Sequence, residues 1–373
     1  MSAEMRMLMR LKDKKPYKED DNMKKIFALM LALVLMSACA VAETVNQVDE
    51  QVLNIFTWEG YIDYSTVIQP FEEETGIKVN YATFASNEEM YEKLSAVNGG
   101  DYDIILASDY ILNMTREAGL MQKFDNQIVT NYANLNPDFT AQFFDPTNEY
   151  VVPYVAGIPL IVYDPAVVEK EIKGFNDLWD PALADSIGLI DDARVTIGMV
   201  LLSMGQSMNT TDEAVLAEAA AKLESLKENI HVLEYENLHN YIVSGDVSVV
   251  YTFTPFVGFA KDANPDLVAV WPEEGLGFGI DGCFIPVNAP HAKNANMFLE
   301  FLLRPEIAAV CAEWQYYCSP NSAAFDYLAD WYKERDEFVG IFDRKGQAEI
   351  LMNLPAEDEQ KFQDIWTTFK LGL

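Results

Sequence analysis

Between Val52 and Ala107 the chain switches repeatedly between strand-like and helix-like patterning, and that alternation restricts the fold more than any other feature of the sequence. Val52-Leu53-Asn54-Ile55-Phe56-Thr57-Trp58 is rich in β-branched and aromatic residues and runs into Glu59-Gly60, a strand entering a turn. A helical stretch over 65–74 is closed by Gly76, and 77–81 alternates as a second strand. Ser86 followed three residues later by Glu89 predicts a capped helix, because the two side chains satisfy free amides at a helix start. Asn98-Gly99-Gly100 stops that helix, and 103–107 is a short apolar strand. Strand, helix, strand, helix, strand implies a parallel sheet.

The theme returns further on. Segments 187–190 and 247–252 read as strands, and Thr210-Thr211-Asp212-Glu213 opens an Ala/Glu/Leu helix running to about Lys227. Another strand covers 278–285. The helices 292–303 and 305–313 then meet at Arg304-Pro305, proline suiting the first turn of the second. An amphipathic helix over 357–370 carries Trp366 and Phe369. Single cores stop growing at roughly 250–300 residues, so a chain of 373 is expected to form two α/β lobes.

The N-terminus bears on location. From Met23 the sequence MKKIFALMLALVLMSACAVA places Lys24 and Lys25 before an apolar run from Ile26 to Met36 and then small residues. This is a signal-peptide pattern, too short for a permanent membrane span, so residues 1–42 read as an extension plus signal peptide. Met36-Ser37-Ala38-Cys39 resembles a lipobox with Cys39 as the lipidated residue, whereas Ala40-Val41-Ala42 suits ordinary cleavage before Glu43. The expected place is therefore extracytoplasmic, in the periplasm or held by a lipid anchor on the outer face of the cell membrane.

Composition excludes several partners. Against 26 Lys and Arg stand 59 Asp and Glu, a formal charge of −33 that nucleic acid and anionic membrane surfaces would repel. A cationic ligand would be attracted. The three histidines are scattered and no Cys-x-x-Cys occurs, so a soft-ligand metal site and any other cofactor are not expected. Cys283, Cys311 and Cys318 remain in the mature chain, and Cys311 lies near enough to Cys318 in sequence for a local bridge. No Gly-x-Ser-x-Gly, His-Glu-x-x-His or Cys/His signature is present, so no enzyme is expected.

An ordered set of segments now points to a family. Phe56-Thr57-Trp58-Glu59-Gly60-Tyr61, Thr75-Gly76-Ile77-Lys78-Val79, Ser86-Asn87-Glu88, Ser108-Asp109-Tyr110, Asp191-Asp192-Ala193-Arg194, Val270-Trp271-Pro272-Glu273-Glu274-Gly275, Asp281 and Phe301-Leu302-Leu303-Arg304-Pro305 occur in register from about Leu53 to Asn321. Together they resemble the type II periplasmic binding proteins for spermidine and putrescine. The resemblance implies a two-lobed α/β fold with a ligand cleft between lobes, residues 52–156 and 282–326 forming one lobe and 157–281 and 327–373 the other. It also implies a monomeric receptor that hands a small cationic amine to the permease of an ABC importer.

Site residues follow from the resemblance singly. Trp58, Tyr61 and Tyr317 would be aromatic walls against methylenes and ammonium groups, and Phe253 stands where the family has a tryptophan. Ser108 and Tyr110 would hydrogen-bond ligand amines, with a helix cap as the alternative role. Asp192 and Asp281 would pair with ammonium groups, since a buried charge requires a partner. Asp109 reads as a first-turn helix charge, and Asp191 and Arg194 as structural neighbours. Three departures bear on selectivity: Val195 replaces a glutamate, Gly279 a second tryptophan, and Gly60 an acidic residue. Glu59, Asp109 and Glu349 are the carboxylates available to compensate. A receptor of the same fold for another solute, such as thiamine or an amino-acid derivative, is the alternative.

Overall fold

The computed structural model describes residues 51–373 apart from Glu236, Lys345, Gly346 and Leu373. The signal-peptide segment and Cys39 lie outside the described residues.

Two sheets organise the chain. In the first, β1 (Val52–Thr57) runs parallel to β2 (Lys78–Thr83) on one side and β3 (Ile104–Ser108) on the other. Beyond β3 lies β11 (Leu276–Pro286), antiparallel to it and also paired with β4 (Met121–Gln122), β5 (Val151–Gly157) and β12 (Ala348–Ile350). The sheet is thus mixed rather than purely parallel. The three strands of the opening segment are parallel as their alternation with helices requires, and the antiparallel strands come from distant sequence. In the second sheet β7 (Ile187–Ile190) is parallel to β8 (Ile230–Glu234) and β9 (Val249–Phe253), and β6 (Pro159–Tyr163) is antiparallel to β9 and to β10 (Val268–Val270).

Helices cover both faces of each sheet. Leu53, Ile55, Ile104 and Leu106 pack with α1 (Gln69–Thr75) and α8 (Ala292–Leu302) through Phe71, Phe298 and Phe301. Phe56, Ile105 and Ala107 face the other way, onto Met90 and Leu94 of α2 (Asn87–Ala96) and Ile111 and Leu112 of α3 (Asp109–Glu117). Because both faces are buried, β3 reads as an unbroken apolar run. At the start of α2, Ser86 accepts the Glu89 N–H at 3.2 Å and Glu89 accepts the Ala85 N–H at 2.7 Å. Gly76 ends α1 at φ +73°, a left-handed turn that glycine adopts freely.

Sheet two is built around α4 (Ala193–Ser203), every residue of which is buried. A helix apolar all round belongs inside a core. It is covered by α5 (Glu213–Glu224) and α10 (Ala356–Lys370). The Asp212 side chain caps α5, two residues after the predicted start at Thr210, because its carboxylate accepts from both Ala214 and Val215. α6 (Leu238–Ser244), α7 (Thr254–Ala263) and α9 (Pro305–Gln315) complete the chain's longer helices. The described cysteines are buried and free, so the local bridge between Cys311 and Cys318 is absent.

The route between the sheets positions the site. β5 ends at Gly157 and β6 begins at Pro159, so a single residue, Ile158, carries the chain from one sheet to the other. Pro159 pairs with Phe253, the last residue of β9, and Gly157 pairs with Gly279 on β11. β5 runs in the same direction as β3, since both are antiparallel to β11. The carboxyl ends of β1, β3 and β5 therefore face the crossing from one sheet, and those of β7 and β9 face it from the other. Crevices at strand carboxyl ends are where α/β sheets hold ligands.

Candidate functional site

At the end of β1 the chain turns through Trp58 to Tyr61, with the Tyr61 N–H on the Trp58 carbonyl at 3.3 Å and Gly60 at φ +69°. The turn is fixed from outside. Trp314 Nε1 donates to the Gly60 carbonyl at 2.9 Å, and Gln315 Nε2 to that of Tyr61 at 2.6 Å. Space around Gly60 is open, so the positive φ accounts for glycine where the family has an acid. The Trp58 ring meets Tyr61 and Phe84 edge-on, each at 4.9 Å.

Tyr61 then reaches β11. Its hydroxyl donates to the Asp281 carboxylate, and Ser108, directly opposite Asp281 in the register, supplies a second hydroxyl to the same group. Ser108 stands at the start of α3 but its side chain makes no cap there, so the helix-cap alternative does not describe it. Burial raises the Asp281 carboxyl above its ordinary range, and the two hydroxyls oppose that shift. Burial, reinforced by the Asp281 charge, pushes the Tyr61 and Tyr317 phenols well up. The Tyr317 ring lies over Gly157, where a Cβ would come within 2.8 Å of it, and the Ala156–Cys318 bridge holds that segment in place. Trp58, Tyr61, Ser108, Asp281 and Tyr317 thus converge at one end of sheet one.

Asp109 belongs to the same end. It is 7% exposed, with Oδ2 on the Ile280 N–H at 3.1 Å and Oδ1 on the Tyr110 N–H at 2.7 Å. Burial pushes its carboxyl up to about 7, aided by the Asp281 charge and opposed by the two amides and by Arg194. Tyr110 is engaged elsewhere. Its hydroxyl donates to Glu88 at 2.8 Å and accepts from Asn87 Nδ2 at 3.1 Å.

From sheet two, Asp192 follows the end of β7 and Phe253 is the last residue of β9. Asp192 caps α4, one carboxylate oxygen accepting the Val195 N–H at 2.8 Å, and burial raises its carboxyl. Val195 itself is 7% exposed and joins the core. The Phe253 ring lies 6.0 Å from that of Tyr235. Among the described residues no hydrogen bond or ion pair joins Asp192 to the Asp281 group; topology brings the two sets to one crevice.

The neighbouring charges of sheet two hold α10. Arg194 donates to Glu359 at 2.8 Å and to the Met352 carbonyl at 3.2 Å, and stacks over Phe362 at 4.7 Å. Asp191 accepts from Trp366 Nε1 at 3.0 Å and pairs with Lys370 at 2.9 Å. Both are structural neighbours, as their sequence context suggests. Glu349 accepts from Met208, Asn209 and Ser207, and Glu59 is exposed. Of the three carboxylates available to compensate, Asp109 is the one placed beside Asp281.

Comparison with known proteins decides the family. Residues 66–338 match the family model described as bacterial extracellular solute-binding protein. The chain belongs to the bacterial extracellular solute-binding proteins. This solute-binding protein is 37% identical to the spermidine/putrescine-binding periplasmic protein of Salmonella typhimurium over 282 residues, 75% of its own length and 81% of the relative's. It is 28% identical to the putrescine-binding periplasmic protein PotF of Escherichia coli, covering 91% of this chain and 97% of that one. Among solved structures, the spermidine/putrescine ABC transporter substrate-binding protein PotD of Streptococcus pneumoniae, in complex with calcium and HEPES, superposes with a TM-score of 0.81 at 33% identity, over 86% of this chain and 99% of that one. The two-lobed α/β fold and the extracytoplasmic setting follow for this solute-binding protein.

Sequence reasoning missed Asn87 and Glu88 as partners of Tyr110, and named Asp109 as a helix-end charge and one of three candidate compensating carboxylates without placing it. The signal was present: Ser86-Asn87-Glu88 is one of the family segments, but capping already explained it. In the solute-binding protein it does both jobs.

Proposed function

We propose that the chain is the solute receptor of an ABC importer, that it binds a polyamine, putrescine or spermidine, in the crevice between its two lobes, and that it delivers the ligand to a membrane permease. The observation that carries this is Asp281. Its carboxylate is partly buried and held by the hydroxyls of Tyr61 and Ser108, and among the described residues no lysine, arginine or histidine pairs with it. Leaving a carboxylate in such a setting without a counter-charge costs several kcal/mol if it is ionised, and an incoming ammonium offsets that cost. Aromatic faces at Trp58, Tyr61 and Tyr317 suit the methylenes between amines, at about 0.5–2 kcal/mol for each cation contact.

Trp58, Tyr61, Ser108, Tyr110, Asp192, Phe253, Asp281 and Tyr317 are the proposed ligand-binding residues, with Tyr110 acting through its hydroxyl alongside Glu88. We assign 52–156 and 282–326 to one lobe and 157–281 and 327–373 to the other, with β11 crossing that boundary so that Gly279 and Asp281 stand on the sheet-one rim. Ligand bridging the lobes shifts an open–closed equilibrium, and the closed form docks on the permease. The receptor is monomeric, performs no catalysis, and is exported by its signal peptide with Cys39 as its lipid attachment point.

Calorimetric titration with putrescine, cadaverine, spermidine, spermine and thiamine tests the assignment. At least one linear polyamine should bind with micromolar or better affinity. Binding of thiamine alone would replace the assignment with the alternative solute.

A further inference from the structure

We propose that Asp109, not previously counted among the ligand contacts, shares one ligand ammonium with Asp281 and thereby helps set which amine this receptor holds. The inference rests on the amine-receptor assignment above.

Gly279 makes the arrangement feasible. A Cβ at Gly279 would stand 3.4 Å from Asp109 Oδ2, with nothing else within 4 Å. The space on that face of β11 is therefore bordered by the Asp109 carboxylate and otherwise open. Residues two apart on a strand project to one face about 6.6 Å apart, so the Asp281 side chain leaves the same face one step along. An ammonium making charge-assisted hydrogen bonds of about 2.8 Å bridges two oxygens up to about 5.6 Å apart, and its three N–H groups suffice for both. Any larger side chain at 279 would fill the gap. The glycine and the aspartate are one feature: where the resemblance implies a tryptophan, this chain has space and a second carboxylate beside it.

The groups around Asp109 are accounted for. Its own helix offers the Tyr110 amide, β11 offers the Ile280 amide and the repelling charge of Asp281, and α4 offers Arg194, whose guanidinium is taken up by Glu359, Asn209 and the Met352 carbonyl. Two backbone amides leave lone pairs on both carboxylate oxygens. With its carboxyl near 7, Asp109 is about half protonated in the empty site at neutral pH, and an ammonium ionises it fully. Binding then releases a proton.

Titration of putrescine into the wild type and Asp109→Asn in two buffers of different ionisation enthalpy reads both effects. Asparagine keeps an acceptor for one of the two backbone amides only, so the proton count, which the loss of a structural hydrogen bond does not move, is read beside affinity. In the wild type, about half a proton should leave per putrescine near pH 7, and affinity should rise from pH 6 to pH 8. Asp109→Asn should bind about 10- to 100-fold more weakly and lose most of the proton release. Wild-type affinity with unchanged proton release in Asp109→Asn overturns the inference and leaves the amine-receptor assignment standing. No binding of any amine to the wild type overturns that assignment and the inference with it.

Discussion

The two rims of the crevice carry similar residue types and use them differently. On the sheet-one rim, Asp109 and Asp281 are held by hydroxyls and amides, and among the described residues neither forms an ion pair. On the sheet-two rim, Asp191 pairs with Lys370, Arg194 with Glu359, and Asp192 caps a helix. Charges with internal partners fasten α10 to the lobe; charges without them are left for a ligand. A carboxylate's role is set by what its neighbours have already committed, and residue type alone does not reveal it. On the proposed amine-receptor reading, one rim supplies most of the counter-charge, and the other, with Val195 in the core and Phe253 at a strand end, supplies mostly shape.

The sharpest way to break this contrast is Asp281→Ala. Truncating one partner of a desolvated charge pair costs about 2–5 kcal/mol in affinity, and titration calorimetry with the best amine should show a loss in that range. An unchanged affinity would move the site away from β11 altogether.

Next in size is a pH effect on the ligand-free protein. Asp109 has its carboxyl raised from 3.8 to about 7, so the native state binds more protons than the unfolded state between those values. Its contribution to stability is present in full below about pH 4 and is lost as pH rises through 7. The shift corresponds to about 2–4 kcal/mol at most. Asp109→Asn removes the titration, so unfolding curves of the two proteins should diverge as pH rises, the variant becoming relatively more stable. Parallel curves from pH 4 to pH 8 would show that burial does not perturb this carboxyl. Such a gain in stability with a loss of binding is the expected mark of a functional charge.

Much of this contrast was legible beforehand, and the residues show why. Asp281 stood out because an aspartate in an apolar strand requires a partner. Trp58 and Tyr61, which follow β1, are assigned by the family resemblance, since an aromatic pair there reads equally as core. The opening strands and helices were legible from period alone. α4 was not, since eleven buried residues give no helical periodicity to find. Nor was the antiparallel pairing of β11 with β3 and β5, which joins residues far apart in sequence. That pairing sets Asp281 opposite Ser108 and places Gly279 beside Asp109. The resemblance therefore implies the walls of the site, while the placement of Asp109 beside Asp281 depends on a long-range register.

The smallest effect is the most discriminating for the sheet-two rim. Asp192 has two separable duties, since one oxygen caps α4 at the Val195 N–H and the group also stands at the crevice. Asparagine caps a helix as well as aspartate does, whereas alanine forfeits about 1 kcal/mol. Asp192→Ala should therefore lower folding stability by roughly that amount, and Asp192→Asn should restore it. Any affinity lost by both variants alike is the charge contribution of Asp192 to binding, expected at about 1 kcal/mol and well below the Asp281→Ala loss. If Asp192→Asn weakened binding as much as Asp281→Ala, the two rims would share the ligand's charge equally. The contrast would then lie only in how each aspartate is anchored: Asp192 by the helix it caps, Asp281 by hydroxyls that a ligand ammonium joins.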